Sequence, residues 1–283
     1  MCAGKCAVGT VAVLTLAGMA FGAGMARKDL RFKVGKHPVI SINNQYGPIT
    51  VKAGAPRDVV VTAILHSDKV ELDQTKSRHR IDIVSHLLPG ADRATGVVEY
   101  EIQVPPDANV TLHSESGRIH AEKLNGDVTV AGSDGPIEVA DCAGGHVHVR
   151  TLNGTVSLSN VHGHVEIMSM GGDVLMNGVT GMLVAVNSNS GKIQYDGDFG
   201  AAGEYEFTSH TGNIEAVAPA YASIDVLARS TNGPVQSDFS LEPKHTPFSA
   251  KVGGAFSGTL GMAASSVKLF SFSGKIHLKK RQN

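Results

Sequence analysis

The chain has 283 residues, of which 42% are hydrophobic but only 5% are aromatic, and it contains 33 glycines and no tryptophan. This composition suits a thin, repetitive β structure better than an enzyme core built around a large ligand. A formal net charge of −1 gives no electrostatic basis for binding nucleic acid, which we exclude as a partner.

Residues 1–26 have the pattern of an export signal. Lys5 forms a short basic region, an apolar run extends from Ala7 to Phe21, and small residues suited to a signal peptidase end at Gly22 and at Ala26. The apolar run is short for a membrane span, so we expect cleavage. An uncleaved N-terminal anchor is the alternative, and it would be the protein's membrane contact. The predicted location is the periplasm, the cell surface or the medium.

Loss of residues 1–26 would remove Cys2 and Cys6 and leave Cys142 without a disulfide partner. Stability must then come from packing alone. No Cys/His arrangement suggests a nucleophile, so we expect Cys142 to be a turn residue.

Residues 27–112 are rich in strand patterns but keep no regular repeat. Residues 58–67 read as a continuous apolar strand, and Gly47–Val51 resembles one unit of the repeat that follows. We predict an N-terminal β-sheet cap, continuous with the repeats, because the open end of a repeat array exposes unpaired strand edges.

From residue 113 onward, a glycine followed by alternating apolar residues recurs at steps of 9 or 10. These glycines are Gly117, Gly126, Gly135, Gly145, Gly154, Gly163, Gly172, Gly181 and Gly191. Alternation places every second side chain on one face, as in a short strand. We expect each glycine to supply a positive φ or a tight bend between strands.

Every second glycine follows a hydroxyl residue by three positions, so the true period is 18 or 19 residues and holds two strands. The hydroxyl residues are Ser114, Thr151, Ser169, Ser188, Ser209, Ser230 and Ser271, with Gly132 at the equivalent place. We expect these hydroxyls to bond turn amides and one another.

Stacking such coils predicts two facing parallel sheets, each with an apolar inner column. The first sheet would point inward Ile119, Ile137, Val156, Val174, Ile193, Ile214, Val235 and Ile276, followed by Ala121, Val139, Leu158, Met176, Tyr195, Ala216, Ser237 and Leu278. The opposite sheet would point inward Val128, Val147, Val165 and Leu183, followed by Val130, Val149, Ile167 and Ala185. The sequence therefore predicts an all-β protein, a parallel β-solenoid over residues 113–283. Its regularity is interrupted at 238–268, before strands at the C-terminus.

Three stretches resemble a bacterial family of exported β-strand-repeat proteins. They are VEYEIQVPPDANVTLHSESGRI (98–119), the repeat TLNGTVSLSNVHGHVEI, and the ending GTLGMAASSVKLFSFSGKIHLKK. The domain of that family carries the label "putative adhesin" or domain of unknown function. The resemblance spans roughly residues 36–280 and implies an envelope or secreted β-solenoid without an established enzymatic activity.

Histidines give the one candidate metal site. In stacked coils His146 would lie beside His164, and His148 beside Glu166, about 4.8 Å apart and facing solvent. Two imidazoles and a carboxylate at that distance could bind Zn²⁺ or Cu²⁺. The alternative is a polar ladder on a solvated sheet, and we assign no metal, cofactor or catalytic residue.

These features predict a non-catalytic, adhesin-like binding or structural protein of the cell envelope, whose partner would be an envelope glycan or protein. A self-assembling scaffold and a polysaccharide-active β-helix enzyme are the alternatives. The enzyme requires gathered carboxylates, whereas one outward column holds Glu138, Ser157, Leu175, Gln194 and Glu215. We also expect a surface ion pair between Asp173 and Lys192.

Overall fold

The computed structural model of the chain describes residues 25–242 and 254–282. The predicted signal peptide therefore lies outside the described residues, except for its last two positions. The middle of the irregular stretch 238–268 lies outside them as well. All regular structure in the described residues is β-strand.

The strands run in chain order as follows: β1 (Ala26–Lys33), β2 (Val39–Tyr46), β3 (Ile49–Ala53), β4 (Asp58–Leu65), β5 (Val70–Lys76), β6 (Arg80–Leu87), β7 (Val98–Val104), β8 (Asn109–Ser116), β9 (Ile119–Glu122), β10 (Val128–Gly132), β11 (Ile137–Ala140), β12 (Ala143–Thr151), β13 (Val156–Ser159), β14 (His162–Ser169), β15 (Val174–Asn177), β16 (Leu183–Ser188), β17 (Ile193–Asp196), β18 (Glu204–Ser209), β19 (Ile214–Ala218), β20 (Ile224–Ser230), β21 (Val235–Ser237), β22 (Gly254–Leu260), β23 (Ser265–Ser271) and β24 (Ile276–Lys280).

The described strands form two 12-stranded sheets. The first sheet has the order β1-β4-β7-β3-β9-β11-β13-β15-β17-β19-β24-β21, and the opposite sheet has the order β22-β20-β23-β18-β16-β14-β12-β10-β8-β2-β6-β5. From β8 to β19 the chain alternates between the sheets, and each strand from β8 to β17 pairs in parallel with the strand two further along. One strand from each sheet makes one coil. The predicted all-β parallel solenoid with two strands per coil is thus confirmed.

At the N-terminal end, the order of coils in space departs from the order in sequence. The coil of β2 and β3 lies between the coil of β8 and β9 and that of β6 and β7, and all of these pairs are parallel. Antiparallel pairing begins only beyond them, with β4 and β1 on the first sheet and β5 on the opposite sheet. The residues expected to form a cap therefore supply two solenoid coils as well as the terminal strands.

At the C-terminal end, the last two strands are inserted into the stack. β23 pairs with β18 on one side and β20 on the other, and β24 likewise lies between β19 and β21. β22 then pairs with β20 in the antiparallel sense. The final coil in sequence is therefore an interior coil of the solenoid, enclosed by residues that precede it in the chain.

The core lies between the two sheets. The inward columns predicted for the first sheet are buried from Ile119 and Ala121 through Ile214 and Ala216, and again at Ile276 and Leu278. Val235 on the edge strand β21 is half-buried. These positions lose contact with water on folding, and the buried apolar area is the main source of stability.

The prediction that Leu183 and Ala185 point inward is wrong. Val184 and Val186 are buried instead, and they pair with Val165 and Ile167 of the neighbouring coil. All four candidate side chains are apolar, so hydrophobicity does not fix the register of β16. Ser188 fixes the register, because the hydroxyl column faces inward. Val184 and Val186 lie four and two positions before Ser188, so they point to the same side as its hydroxyl.

The repeat glycines are required for a reason other than the one we expected. Among those predicted, only Gly163 has a positive φ, and at 157° it is close to extended backbone. From Gly135 to Gly191, each repeat glycine instead lies against the backbone of the repeat glycine one coil earlier. A Cβ added at Gly154 would lie 2.0 Å from the carbonyl oxygen of Gly135, and one at Gly172 would lie 1.9 Å from that of Gly154. No side chain fits at those distances, so the glycine columns let the turns stack.

The hydroxyl column closes the turns of the solenoid from within. Ser169 Oγ donates to the Gly172 carbonyl oxygen at 2.6 Å, and Ser188 Oγ donates to that of Gly191 at 3.0 Å. The side chains of this column are buried. The predicted bonds to turn amides are present at Gly154, Gly212, Gly233 and Gly274. Among the described residues, no bond joins one hydroxyl of the column to another, and turn carbonyl groups are the further acceptors. Asn44, whose Nδ2 donates to the Gly47 and Val98 carbonyl oxygens, takes the same place in the coil of β2 and β3.

Ser169→Ala should lower the free energy of unfolding by about 1–3 kcal/mol, because the Gly172 carbonyl would lose a buried donor. Urea denaturation measures the change. Ser190→Ala is the matched control, since Ser190 Oγ also bonds a carbonyl, that of Met170, but at an exposed site. An equal effect of the two substitutions would contradict a structural role for the buried column.

Candidate functional site

The predicted histidine cluster forms on the outer face of the opposite sheet. β12 and β14 pair so that His146 faces His164 and His148 faces Glu166. Val147 and Val165, which alternate with these residues, are buried in the core. The neighbours named from the sequence are therefore the neighbours in the structure, and the four side chains project away from the core.

The cluster is organised around one carboxylate. Glu166 Oε1 lies 3.0 Å from His164 Nε2, and Glu166 Oε2 lies 3.2 Å from His148 Nδ1. The rings of His146 and His164 are 4.7 Å apart between centroids. Hydrogen bonds from His164, first, and from His148 hold the pKa of the Glu166 carboxyl below its ordinary value despite slight desolvation.

The cluster does not have the geometry of a metal centre. In the parts of the chain that the structure describes, no group of three or more His, Cys, Asp or Glu side chains is arranged to hold a metal ion. His162, the first residue of β14, has its Nδ1 2.6 Å from Thr180 Oγ1. In this arrangement His148 and His164 share one carboxylate, as in a polar ladder on a solvated face.

Replacing Glu166 should change how stability depends on pH. A carboxyl whose pKa is lowered by folding contributes stability that is present above its unfolded pKa, and this contribution disappears as the pH falls through the folded value. Between pH 6 and pH 3 the wild type should therefore lose more stability than Glu166→Gln, by less than about 1 kcal/mol because the group is exposed. Urea midpoints at the two pH values measure this difference. Parallel pH profiles would mean that the histidines do not engage the carboxylate.

A second histidine cluster lies on the outer face of the first sheet and was missed in the sequence. His120 Nε2 lies 3.0 Å from Glu122 Oε2, and His120 Nδ1 lies 3.3 Å from Glu138 Oε2. The hydrogen bond from His120 is the main cause of a lowered pKa at Glu122. The coil period places Glu138 beside His120, so the register that located the first cluster could also have located this one.

The expected ion pair between Asp173 and Lys192 is replaced by other contacts. The Lys192 backbone N–H donates to Asp173 Oδ1 at 2.8 Å, while Lys192 Nζ lies 3.6 Å from Glu215 Oε2 on the next strand. Lys279 Nζ approaches the other oxygen of Glu215 at 3.0 Å. The lysine side chain therefore contacts the following coil, which holds Glu215, and not the preceding coil, which holds Asp173.

Cys142 is a core residue at the corner after β11. It is 2% exposed, and Sγ donates to the Ala140 carbonyl oxygen at 3.3 Å. Burial is the main cause of a raised pKa at its thiol. The thiolate is the reactive form, so this environment disfavours nucleophilic chemistry.

A family model described as Toastrack DUF4097 matches residues 37–279 of the chain. No curated protein has a sequence that matches the chain significantly. None of the described residues form a helix that is long and apolar enough to span a membrane.

Crystal structures similar to the chain include the following three. A "putative adhesin" from Bacteroides fragilis is 16% identical, covers 93% of this chain and 100% of its own, and gives a TM-score of 0.44. A "putative adhesin" from Parabacteroides merdae is 10% identical, covers 92% of this chain and 98% of its own, and also gives 0.44. A "putative cell adhesion protein" from Clostridium sporogenes is 12% identical, covers 90% of this chain and 100% of its own, and gives 0.30.

Proposed function

The chain belongs to the Toastrack DUF4097 family, a family of domains of unknown function, and from this premise we propose that it is a non-catalytic, exported protein of the cell envelope that binds a surface component. The observation that carries the proposal is the pair of long, solvated sheet faces. On each face, side chains from successive coils form straight columns in register, as at Glu138, Ser157 and Leu175. Such columns offer a repeating surface to an extended partner.

The spacing and pKa of the carboxylates in the shared outward column of the first sheet support a non-catalytic role. In their shared outward column, Glu138 and Glu215 are separated by the intervening strands β13, β15 and β17, at about 4.8 Å per strand step. That distance is far beyond the carboxylate spacing that glycoside hydrolysis uses. Partial burial alone would raise the pKa of Glu215, but Lys279 and Lys192 outweigh it and hold the pKa below its ordinary value. A general acid needs the opposite shift.

The ends of the solenoid favour a binding protein over a self-assembling scaffold. The edge strand β1 carries Arg27, Lys28, Asp29, Arg31 and Lys33, and it is exposed along most of its length. Charged edge strands resist pairing with the edge of another molecule. A scaffold that grows by stacking end to end would have to bury this charged strand, including the ion pairs of Arg31 and Lys33 with Asp58.

An exported protein that has no disulfide must be stabilised by packing. The continuous core between the two sheets can supply that stability. If residues 1–26 are an export signal, protein recovered from the envelope should lack the first 22 or 26 residues. Intact-mass measurement tests this prediction.

Retention of an envelope component tests the proposed function. The purified protein, immobilised through its C-terminus, should retain a glycan or protein from a detergent extract of the native envelope. A matched column carrying the same protein after heat denaturation should not retain it. Release of products from a panel of polysaccharides by the wild-type protein would contradict a non-catalytic role, and an empty eluate from the wild-type column would contradict a binding role.

A further inference from the structure

A polar groove of about 450 Å³ lies at the corner where the chain passes from the first sheet to the opposite sheet. It extends along the solenoid across several successive turns. The lining residues that bear on its chemistry are Asn160, His162, Asn177, Asp198, Tyr221 and Arg281. Neither histidine cluster of the sheet faces is part of it.

The groove exists because one column of turn side chains is interrupted. Asp141, Asn160 and Gly178 occupy equivalent positions in successive turns, with φ values of 53°, 52° and 63°. The first two carry side chains that bond each other, Asn160 Nδ2 donating to Asp141 Oδ1 at 3.0 Å. At Gly178 this ladder stops, and the space that a side chain would fill becomes the floor of the groove.

Backbone packing does not require a glycine at this position. A Cβ at Gly178 would meet the Asn160 Oδ1 side-chain atom at 3.1 Å, and no backbone atom nearer than 3.8 Å. This differs from Gly172, where the obstacle is a carbonyl oxygen at 1.9 Å. The left-handed conformation is compatible with Asn and Asp, as Asn160 and Asp141 show. Close backbone packing therefore does not account for the glycine, and its missing side chain opens the groove.

The groove carries hydrogen-bonding groups and an exposed ring. Tyr221 is 80% exposed, although an aromatic side chain gains free energy when its ring is covered. Arg281 pairs with Asp196, whose carboxylate also lines the groove. Asp198 uses one oxygen to accept the Gly200 N–H at 3.3 Å, which leaves its other oxygen and its charge directed to solvent.

The loop that holds Asp198 is anchored by contacts with the core. Tyr195 Oη donates to the Val179 carbonyl oxygen at 3.0 Å and accepts the Phe199 N–H at 3.1 Å. The rings of Tyr195 and Phe199 stack with centroids 4.5 Å apart, and Tyr205 packs edge-on against Phe199. These three side chains are fully buried. A rigid support of this kind lowers the entropic cost of binding at the groove.

We propose that this corner groove binds an uncharged oligosaccharide, with Tyr221 as the stacking platform. Planar amide, carboxylate and imidazole groups bond neighbouring sugar hydroxyls as donors and acceptors, and an aromatic ring covers the apolar face of a sugar ring. Pairing of Arg281 with Asp196 leaves Asp198 as excess negative charge, which disfavours acidic glycans. The proposal rests on the proposed binding function and names its ligand class and site.

Titration of the full chain with cellotetraose, mannotetraose and chitotetraose, followed by saturation-transfer NMR and calorimetry, tests the groove. At least one of these should bind at concentrations up to about 10 mM, and tetragalacturonate should not. Tyr221→Ala and Gly178→Asn should each weaken that binding about tenfold or more. Tyr221→Phe, which keeps the ring, should bind nearly as the wild type does. Phe272→Ala is the control, because Phe272 is 48% exposed and lies outside the groove.

Binding that survives both Tyr221→Ala and Gly178→Asn would overturn the groove as the site. The absence of binding by every neutral tetraose would overturn the ligand class. Should Gly178→Asn fail to fold, Tyr221→Ala decides alone, since its side chain is largely in solvent. In either negative case, retention of an envelope component by the wild-type protein would leave the proposed function standing, whereas its loss would remove that function too.

Discussion

Gly172→Ala should destabilise the protein by about 3 kcal/mol or more, which is a large effect for the addition of one methyl group. The new Cβ would lie 1.9 Å from the carbonyl oxygen of Gly154, one coil earlier. A carbonyl oxygen in a stacked turn cannot rotate away as a flexible side chain can, so the two coils must separate. Separation would weaken the parallel pairing of β13 with β15 on one side of the turn. Chemical denaturation measures the loss.

Gly171→Ala is the matched control for this prediction. Its Cβ would meet the Asn153 Oδ1 side-chain atom at 3.2 Å, and no backbone atom within 3.4 Å. Asn153 is exposed and can move aside. The control should change the unfolding free energy by about 1 kcal/mol or less. If the two adjacent substitutions cost the same, close stacking of the turns is not the reason for the glycine column.

Val156→Asp should abolish most soluble expression. Val156 is fully buried between the sheets, and its neighbours in the coils on either side are Ile137 and Val174. A carboxylate there would have no partner, and an uncompensated buried charge costs on the order of 3–5 kcal/mol. That cost is a large part of a typical domain stability of about 5–15 kcal/mol. Soluble yield and the melting temperature of any recovered protein measure the effect.

Ser157→Asp provides the comparison at the adjacent position. Ser157 lies on the outer face of the same strand and is partly exposed, so its stability should change by about 0.5 kcal/mol or less. Equal behaviour of the two variants, or the reverse order, would show that the alternation of inward and outward side chains has been assigned to the wrong parity.

The sequence was sufficient for the repeat architecture because each coil repeats the same physical constraints. The alternation of Ile137 and Val139, repeated at Val156 and Leu158, defines both the strand and its inner face. The register followed from the spacing of coils, and it placed His146 beside His164 correctly. Repetition thus supplied the tertiary contacts that a single strand pattern cannot give.

The errors occurred where the pattern is locally ambiguous or where the constraint acts between coils. In β16, Leu183 and Val184 are both apolar, so alternation alone fits either parity. The glycine requirement was attributed to φ because a clash such as that at Gly172 involves a residue 18 positions away and becomes visible only when the coils are stacked. The corner groove depends on a missing side chain at Gly178, and no local rule distinguishes that glycine from the others.

The order of the coils at the C-terminal end could not be obtained from periodicity. All coils present similar strand edges to their neighbours. The repeat therefore does not indicate whether β24 lies beyond β21 in the sheet or between β19 and β21. The structure places β24 between β19 and β21. This insertion ties the end of the chain into the interior of the stack, and with the parallel two-strand coil it is the central feature of the architecture.

Disulfide trapping tests that architecture most directly. Glu215 and His277 are paired neighbours across β19 and β24, and His277 is in turn paired with Gln236 of β21. The double variant Glu215→Cys/His277→Cys should oxidise readily, because its Cα atoms lie about 5 Å apart, one strand spacing. The double variant Glu215→Cys/Gln236→Cys should remain reduced, since two strand spacings, about 10 Å, exceed the reach of a disulfide. Peptide mapping under non-reducing conditions that finds the 215–277 link supports the inserted coil, whereas a 215–236 link without it would show that the coils stack in sequence order.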